Sequence, residues 1–221
     1  ERKTCFWIAG LTFFLLSFGM SVTLHRFFSH QAFHASRSMT FVFGIIGLMT
    51  NQCGFLWWAS KHKKHHKDCD THLDPHSPNI YSLLYAFIGW TYYENTTEYQ
   101  TWSKRVLYPE LILLNSLEFL PTLFTLYMVY NVGPESLYYY YVPTLLSRYG
   151  TFYFNVSTHQ KHSNEKTCQA MNKRGFGSSF LGENLHATHH AKPQQLCRHS
   201  FDLSYYLCIS PMLRLHFIKA P

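Results

Sequence analysis

Long uncharged stretches alternate with short, strongly polar ones along this chain. Residues 5–24 carry no charged side chain, and neither do residues 39–58. Each is about as long as the ~20 apolar residues that a helix needs to cross a bilayer. Two further hydrophobic blocks, 117–132 and 137–156, are joined through Asn131-Val132-Gly133-Pro134, a turn sequence. The pattern predicts an all-α integral membrane protein in which 5–24 crosses and 117–132 and 137–156 form a transmembrane hairpin. Residues 82–93 are shorter, aromatic and amphipathic, and read as an interfacial helix. Glu118 and Arg148 fall inside the later blocks. Charges there are costly unless they face a cavity or an interface, so both are expected to be structural.

The polar stretches are rich in histidine. Nine of the fifteen histidines form a repeating arrangement: His25 and His30; His62, His65 and His66; His159; and His186, His189 and His190. Neutral imidazole is a common metal ligand, and nine exceed the shell of one first-row metal, so the pattern predicts two. On an α-helix, positions i, i+3 and i+4 share a face. Each triplet can therefore point one way, and its outer pair is expected to straddle that face so that one helix feeds two metals. Asn155 and His159 are an i, i+4 pair at the end of the last apolar block. His25 and His30 stand roughly 140° apart on an ideal helix. They are expected to serve different metals or to sit where the helix unwinds.

The ligand set bears on the metal. Zinc sites close at four ligands, commonly with cysteine, which nine histidines fit poorly. Imidazole suits iron, copper, nickel and zinc alike, and the membrane setting favours iron, for O2 chemistry on an alkyl chain. The soluble di-iron bundles use Glu and Glu-x-x-His, a pattern this chain lacks.

Topology constrains the rest. If all the boxes meet at one site, they lie on one side of the membrane. The stretch 39–58 separates the first box from the second, so it must dip in and return or lie along the interface. By the same parity 5–24 arrives from the far side, and a cytosolic start would require one more helix upstream.

Composition fits a membrane-associated class. Charged residues make up 14% and aromatics 18%, against roughly 25% charged in soluble domains. The net charge of +7 gathers at Lys61, Lys63, Lys64 and Lys67 around the second box. It reads either as positive-inside loop charge or as phosphate binding on an acyl carrier; a nucleic-acid partner is not expected. Cys5, Cys53, Cys69, Cys168, Cys197 and Cys208 show no paired spacing and are expected to be reduced thiols.

Taken together the boxes resemble those of the membrane fatty-acid desaturases, specifically the stearoyl-CoA (Δ9) acyl-CoA desaturase-like family. His25-Arg26-Phe27-Phe28-Ser29-His30 is similar to its HRxxSH box, and Trp58-x3-His62-Lys63-Lys64-His65-His66-Lys67 to its WxxxHRxHHK box. Asp74-Pro75-His76-Ser77-Pro78 and Gly89-Trp90 resemble the segments that follow. Asn155-Val156-Ser157-Thr158-His159 resembles NSxxH, and Gly182-Glu183-Asn184-Leu185-His186-Ala187-Thr188-His189-His190 resembles GExxHNxHH. Ala187 departs from the family's Asn, and residues 160–180 lack its GxRPY-like run.

The resemblance implies one desaturase domain over 1–221, a mushroom-shaped helical bundle with a cytosolic cap from 157–221, here without the family's first transmembrane helix. It implies two irons on the nine histidines, with Asn155 reaching one through water, and O2-dependent insertion of a cis double bond into an acyl-CoA or lipid-linked acyl chain. It further implies an external cytochrome b-type or ferredoxin electron donor. The metal site would face the cytosol, at the endoplasmic reticulum in a eukaryote or the inner membrane in a bacterium. Glu183, Asp74 and His76 are expected to support the ligands from behind, and Trp58 to wall the substrate path. Two other readings are open: a histidine-box hydroxylase of lipid or alkane chains, and a non-enzymatic metal-binding membrane protein.

Overall fold

The computed structural model describes residues 2–94, 97, 107–159, 168–173 and 181–221. The first apolar stretch becomes one helical rod. Helix α1 (Arg2–Gly19) runs directly into a π-helical segment, Met20–Ser29, so the helix extends past the predicted limit at residue 24. Phe6–Ser29 has 24 residues and a mean hydropathy of 1.7. That exceeds the ~20 apolar residues a helix needs to cross a hydrocarbon layer of about 30 Å. Among the described residues no other single helix is long and apolar enough to cross a bilayer. The rod changes character along its length: Phe6, Trp7, Leu11 and Leu15 of α1 are exposed, whereas every residue of the π-helical part is buried.

Residues 39–58 do not form one helix. They divide between α2 (Arg37–Met49) and α3 (Phe55–Asp68). The Ser36 Oγ caps α2 by accepting the Met39 N–H at 3.2 Å. At the break, Asn51 and Cys53 take positive φ values of 55° and 64°, a region costly to residues other than glycine and, less so, asparagine. Gln52 pins the break: its amide donates to Thr151 Oγ1 at 3.3 Å and its carbonyl accepts the Trp58 indole N–H at 3.2 Å. Gly47 on α2 lets Leu24 come close, since a Cβ there would lie 2.9 Å from Leu24 Cδ2.

The start of α3 borrows its caps from α5 (Pro109–Ser116) and the turn after it. Asn115 Oδ1 accepts the Leu56 N–H at 2.7 Å, and Glu118 Oε2 accepts the Gly54 N–H at 3.1 Å. A carboxylate at a helix N-terminus satisfies orphan amides and complements the dipole, which accounts for Glu118 in an apolar block. Helix α6 (Leu120–Val132) follows at a 56° bend, and the α5–α6 pair together reaches spanning length.

A 3₁₀ turn, Pro134–Tyr138, leads into α7 (Tyr141–Thr158). Helix α7 packs along α1, with Ser17 and Ser147 hydroxyls 3.4 Å apart. Arg148 places a guanidinium nitrogen 3.9 Å from Cys53 Sγ and its Cζ 5.4 Å from the centre of the Phe152 ring. Residues 82–93 contain a short π-helical turn, Tyr85–Gly89, and α4 (Trp90–Tyr93). Trp90 is buried there and stacks on Trp57 with ring centres 5.3 Å apart.

Beyond the third histidine box, α8 (His186–Ala191) and α9 (Ser210–Arg214) precede a terminal strand β2 (Ile218–Lys219), which pairs antiparallel with β1 (His34–Ala35). The register sets His34 against Lys219 and Ala35 against Ile218. Among the described residues all other regular elements are helical. Phe27, Phe28, Phe33, Phe43 and Phe55 form an aromatic core between the π-helical segment, α2 and α3, and the histidine boxes stand at its edge.

Candidate metal centre

All nine box histidines converge, in two groups. His25, His30, His62, His66 and His189 form one; His65, His159, His186 and His190 form the other. Within each group the ligand nitrogens lie within 4.8 Å of one another. In the first group Nε2 of His25 lies 2.9 Å from that of His189, and His30 lies 3.0 Å from His62. In the second, His159 Nε2 lies 2.8 Å from His186 Nε2 and 3.2 Å from His65 Nε2.

The grouping corrects two expectations. The outer members of a triplet do not straddle the helix face: His62 and His66 join one group while His65 joins the other, and His186 and His190 join one group while His189 joins the other. On a helix, i and i+4 differ by about 40° whereas i+3 lies about 100° from i+4, so the middle histidine is the one that turns aside. His25 and His30 do not serve different groups, and the helix between them is wound more loosely than an α-helix. The His30 N–H donates to the His25 carbonyl at 3.2 Å, the i→i+5 bond of a π-helix. That bond stacks residues five apart on one face.

Carboxylates stand behind the ligands. Asp74 Oδ2 lies 2.9 Å from His65 Nδ1, and Glu183 Oε2 lies 3.0 Å from His25 Nδ1. Asp70, which the sequence reading missed, lies 3.2 Å from His159 Nδ1. It also accepts from the Gln169 N–H at 2.7 Å, Ser77 Oγ at 2.6 Å and Asn79 Nδ2 at 2.9 Å. Asp74 further accepts the amides of Asp70 at 2.9 Å and His76 at 3.0 Å. His76 is buried and stacks on the His65 ring, centres 4.4 Å apart. Trp58 stacks on the His62 ring at 4.9 Å. Asn155 is half-buried, one turn before His159 on α7.

Glu183 belongs to a buried ionic knot that the sequence did not reveal. Arg198 pairs with it directly, Ser21 Oγ donates to it at 2.7 Å, and Arg26 stands 3.8 Å away. Arg26 is fully buried; it also binds Asp202 at 3.0 Å and the carbonyls of Leu181 and Leu196 at 2.9 and 2.8 Å. Gly182 lies against this knot with φ +73°, and a Cβ there would meet Asp202 Cγ at 2.4 Å. Only glycine suits that position.

Burial, reinforced by neighbouring imidazoles, holds His62, His66, His186 and His190 well below the usual histidine range. Burial also brings His76 down to about 3. For Asp74 burial acts upward, but the charge and hydrogen bond of His65 prevail and bring it to about 2. Arg198, His25 and Arg26 likewise outweigh burial and hold Glu183 below the usual carboxylate range.

These contacts test the fit to a metal. His65 and His159 both direct Nδ1 at a carboxylate. In their neutral forms that contact fixes the proton on Nδ1 and leaves a lone pair on each Nε2. In that state the two Nε2 atoms stand 3.2 Å apart with no hydrogen between them, a spacing that a shared cation would relieve. The all-nitrogen donor sets fit first-row metals. Nδ1 of His186 and of His189 is buried without a hydrogen-bond partner among the described residues.

The expectation of reduced thiols fails at one pair. Cys69 and Cys168 form a disulfide with Cα atoms 5.2 Å apart, because the end of α3 and the segment beyond His159 meet at the second histidine group. Cys53, Cys197 and Cys208 are free thiols. Most of residues 160–180, where the family's GxRPY-like run is missing, lie outside the described residues.

Comparison with known proteins gives the same direction. Over 91 residues the chain is 35% identical to an acyl-CoA 5-desaturase of Anemone leveillei, covering 40% of this chain and 28% of that protein. It is 35% identical over 89 residues to an sn-1 stearoyl-lipid 9-desaturase of Synechocystis, covering 38% and 28%. It is 29% identical over 85 residues to the human stearoyl-CoA desaturase, covering 38% and 23%. The matched region thus spans only about a quarter of each relative's length. The family model described as fatty acid desaturase, in contrast, matches residues 5–206, nearly the whole sequence and every histidine box. The chain belongs to the fatty acid desaturase family.

Proposed function

We propose that this chain holds two irons on its nine box histidines and uses O2 to insert a cis double bond into a saturated acyl chain. The observation that carries the reading is the 3.2 Å approach of His65 Nε2 and His159 Nε2, each ring with a carboxylate at its Nδ1. When bound, the irons would supply the O2 activation that C–H cleavage needs. The chain's own residues do the rest. Asp74, Asp70 and Glu183 keep the proton on Nδ1 of His65, His159 and His25, so that each Nε2 is free to ligate. Asn155, one turn from His159, would hold one of the metals through a water.

An apolar groove of about 410 Å³ runs between α1 and α7, lined by Phe13, Met20, Leu146, Phe154 and Ser157 and reaching Glu183. Its size is that of a small-ligand site, and its walls suit an alkyl chain shielded from water. Trp58 is not among the residues lining it and acts by packing on His62. The relatives' names mention acyl-CoA and stearoyl-lipid, which supports an acyl substrate here on either carrier. Electrons come from a separate donor of the cytochrome b or ferredoxin type.

The exposed apolar side chains of α1, α2 and α6, among them Trp7, Leu15, Ile45, Leu123 and Leu126, support burial in a bilayer. The histidine groups would then sit at its cytosolic face, in the endoplasmic reticulum or a bacterial inner membrane, beneath a cap to which residues 181–221 contribute. The test is expression of the full chain in a desaturase-deficient host, with fatty acids analysed by gas chromatography–mass spectrometry. A new alkene that disappears with His159→Ala, and two irons per purified chain, are expected. An alcohol as sole product, or a single zinc, would overturn the reading.

A further inference from the structure

The disulfide lies where it can act on the second histidine group. Cys69 ends α3, and Cys168 begins the segment that returns to it. Their sequence neighbours, Asp70 and Gln169, are joined by a 2.7 Å hydrogen bond beside the bridge. Asp70 in turn orients His159. Two residues further, the Met171 N–H donates to the Thr158 carbonyl at 2.9 Å. The sulfurs themselves stand close to the ligands, Cys69 Sγ 3.8 Å from His159 Nδ1 and Cys168 Sγ 3.5 Å from His190 Nδ1. Cys168 is exposed, so an outside reductant can reach it. The bridge links positions 99 residues apart, and without it the 168–171 segment is covalently tethered to the α3 end only through long stretches of chain.

We propose that the Cys69–Cys168 disulfide is a redox-sensitive clamp that holds Asp70 and His159 in register with the four-histidine group. On the cytosolic side proposed above, on which this inference rests, such a bridge is a transient, redox-sensing bond. An external dithiol opens it by exchange: the S–S bond breaks, the dithiol's two protons and two electrons pass to Cys69 and Cys168, which each become a thiol, and the dithiol leaves oxidised, as a disulfide. Opening releases the Gln169 amide from Asp70 and loosens His159. The second group then holds metal less well, while the first, which the bridge does not touch, keeps its own.

Non-reducing peptide mapping of the purified full chain should yield a Cys69–Cys168 linked peptide. Treatment with a phosphine, which takes up the oxygen of water and adds no chelating thiol, should raise hydrogen exchange at the Gln169 and Met171 amides by at least about tenfold. Bound iron should fall by about half. Cys69→Ser/Cys168→Ser should show fast exchange and low iron from the outset, with no further response to the phosphine. Should that variant fail to fold, reoxidation of the reduced wild-type chain with a small disulfide and ferrous iron should restore both readouts. Absence of the linked peptide, or exchange unchanged by reduction, overturns the clamp. An untreated protein devoid of metal would instead refute the two-iron reading, leaving hydrogen exchange to decide the clamp.

Discussion

The His30 amide donates to the His25 carbonyl at 3.2 Å, five residues back, and this bond puts both imidazoles into one five-histidine group. It also predicts unequal consequences of losing a ligand. His30→Ala should lower iron by about one equivalent while leaving the four-histidine group loaded, because that group draws nothing from the π-helical segment. Metal analysis of the purified variant checks this; loss of both irons would show that the groups are not separable.

Asp70 is expected to matter as much as the ligands it supports. Asp70→Asn removes the negative charge and turns one of the two accepting oxygens into a donor, so it can no longer serve both His159 and Gln169 on one oxygen and Ser77 and Asn79 on the other. Metal affinity should fall about 10–100-fold, the usual effect of removing a ligand's hydrogen-bond partner. Competitive chelator titration measures it, and an affinity within twofold of wild type would count against the assignment.

Gly182→Ala should destabilise the protein by more than about 1 kcal/mol, since it forces a side chain into positive φ and drives a methyl to 2.4 Å from Asp202 Cγ. The knot joining Arg26, Glu183, Arg198 and Asp202 would have to move, and His25 with it. A lower melting temperature together with lower iron content is expected.

Asp74 predicts an acid limb. Its carboxyl is lowered from 3.8 to about 2 in the folded protein, where His65 outweighs the upward effect of burial. A depressed folded value means the stabilisation is fully present above the ordinary carboxylate range and is lost as pH falls from 3.8 through about 2. Asp74→Asn should therefore melt below wild type at neutral pH, with the gap closing in acid. A gap independent of pH would overturn this.

What was readable in the sequence was what is local. His62, His65 and His66 sit within one helical turn or so of each other, as do His186, His189 and His190, so their spacing alone brings each triplet to the site. Asp74 was found nine residues from His65 because it lies in a recognisable segment. Asp70 was missed because its partner is His159, 89 residues away, and nothing in a lone loop aspartate announces such a pairing. The signal available was chemical: a buried ligating histidine needs an acceptor for its second nitrogen, and the loop after the second box offered Asp70 beside Asp74. The disulfide was hidden for the same reason, its cysteines being 99 residues apart. The spacing of His25 and His30 admitted two explanations, and the wider helical turn that reconciles them depends on packing between α1, α2 and α3 that no spacing rule contains. Arg26 stood in view in the first box, but its role required Asp202, on the far side of the third.

Helices α3 and α8 each send histidines to both groups. The offset between the two groups is therefore written twice into rigid rods, once by each, rather than left to a loop. A displacement of either rod moves both groups in concert, so the pair behaves mechanically as one part. Selection acting on the gap between the groups would find it in the pitch of two helices, where single substitutions have little purchase.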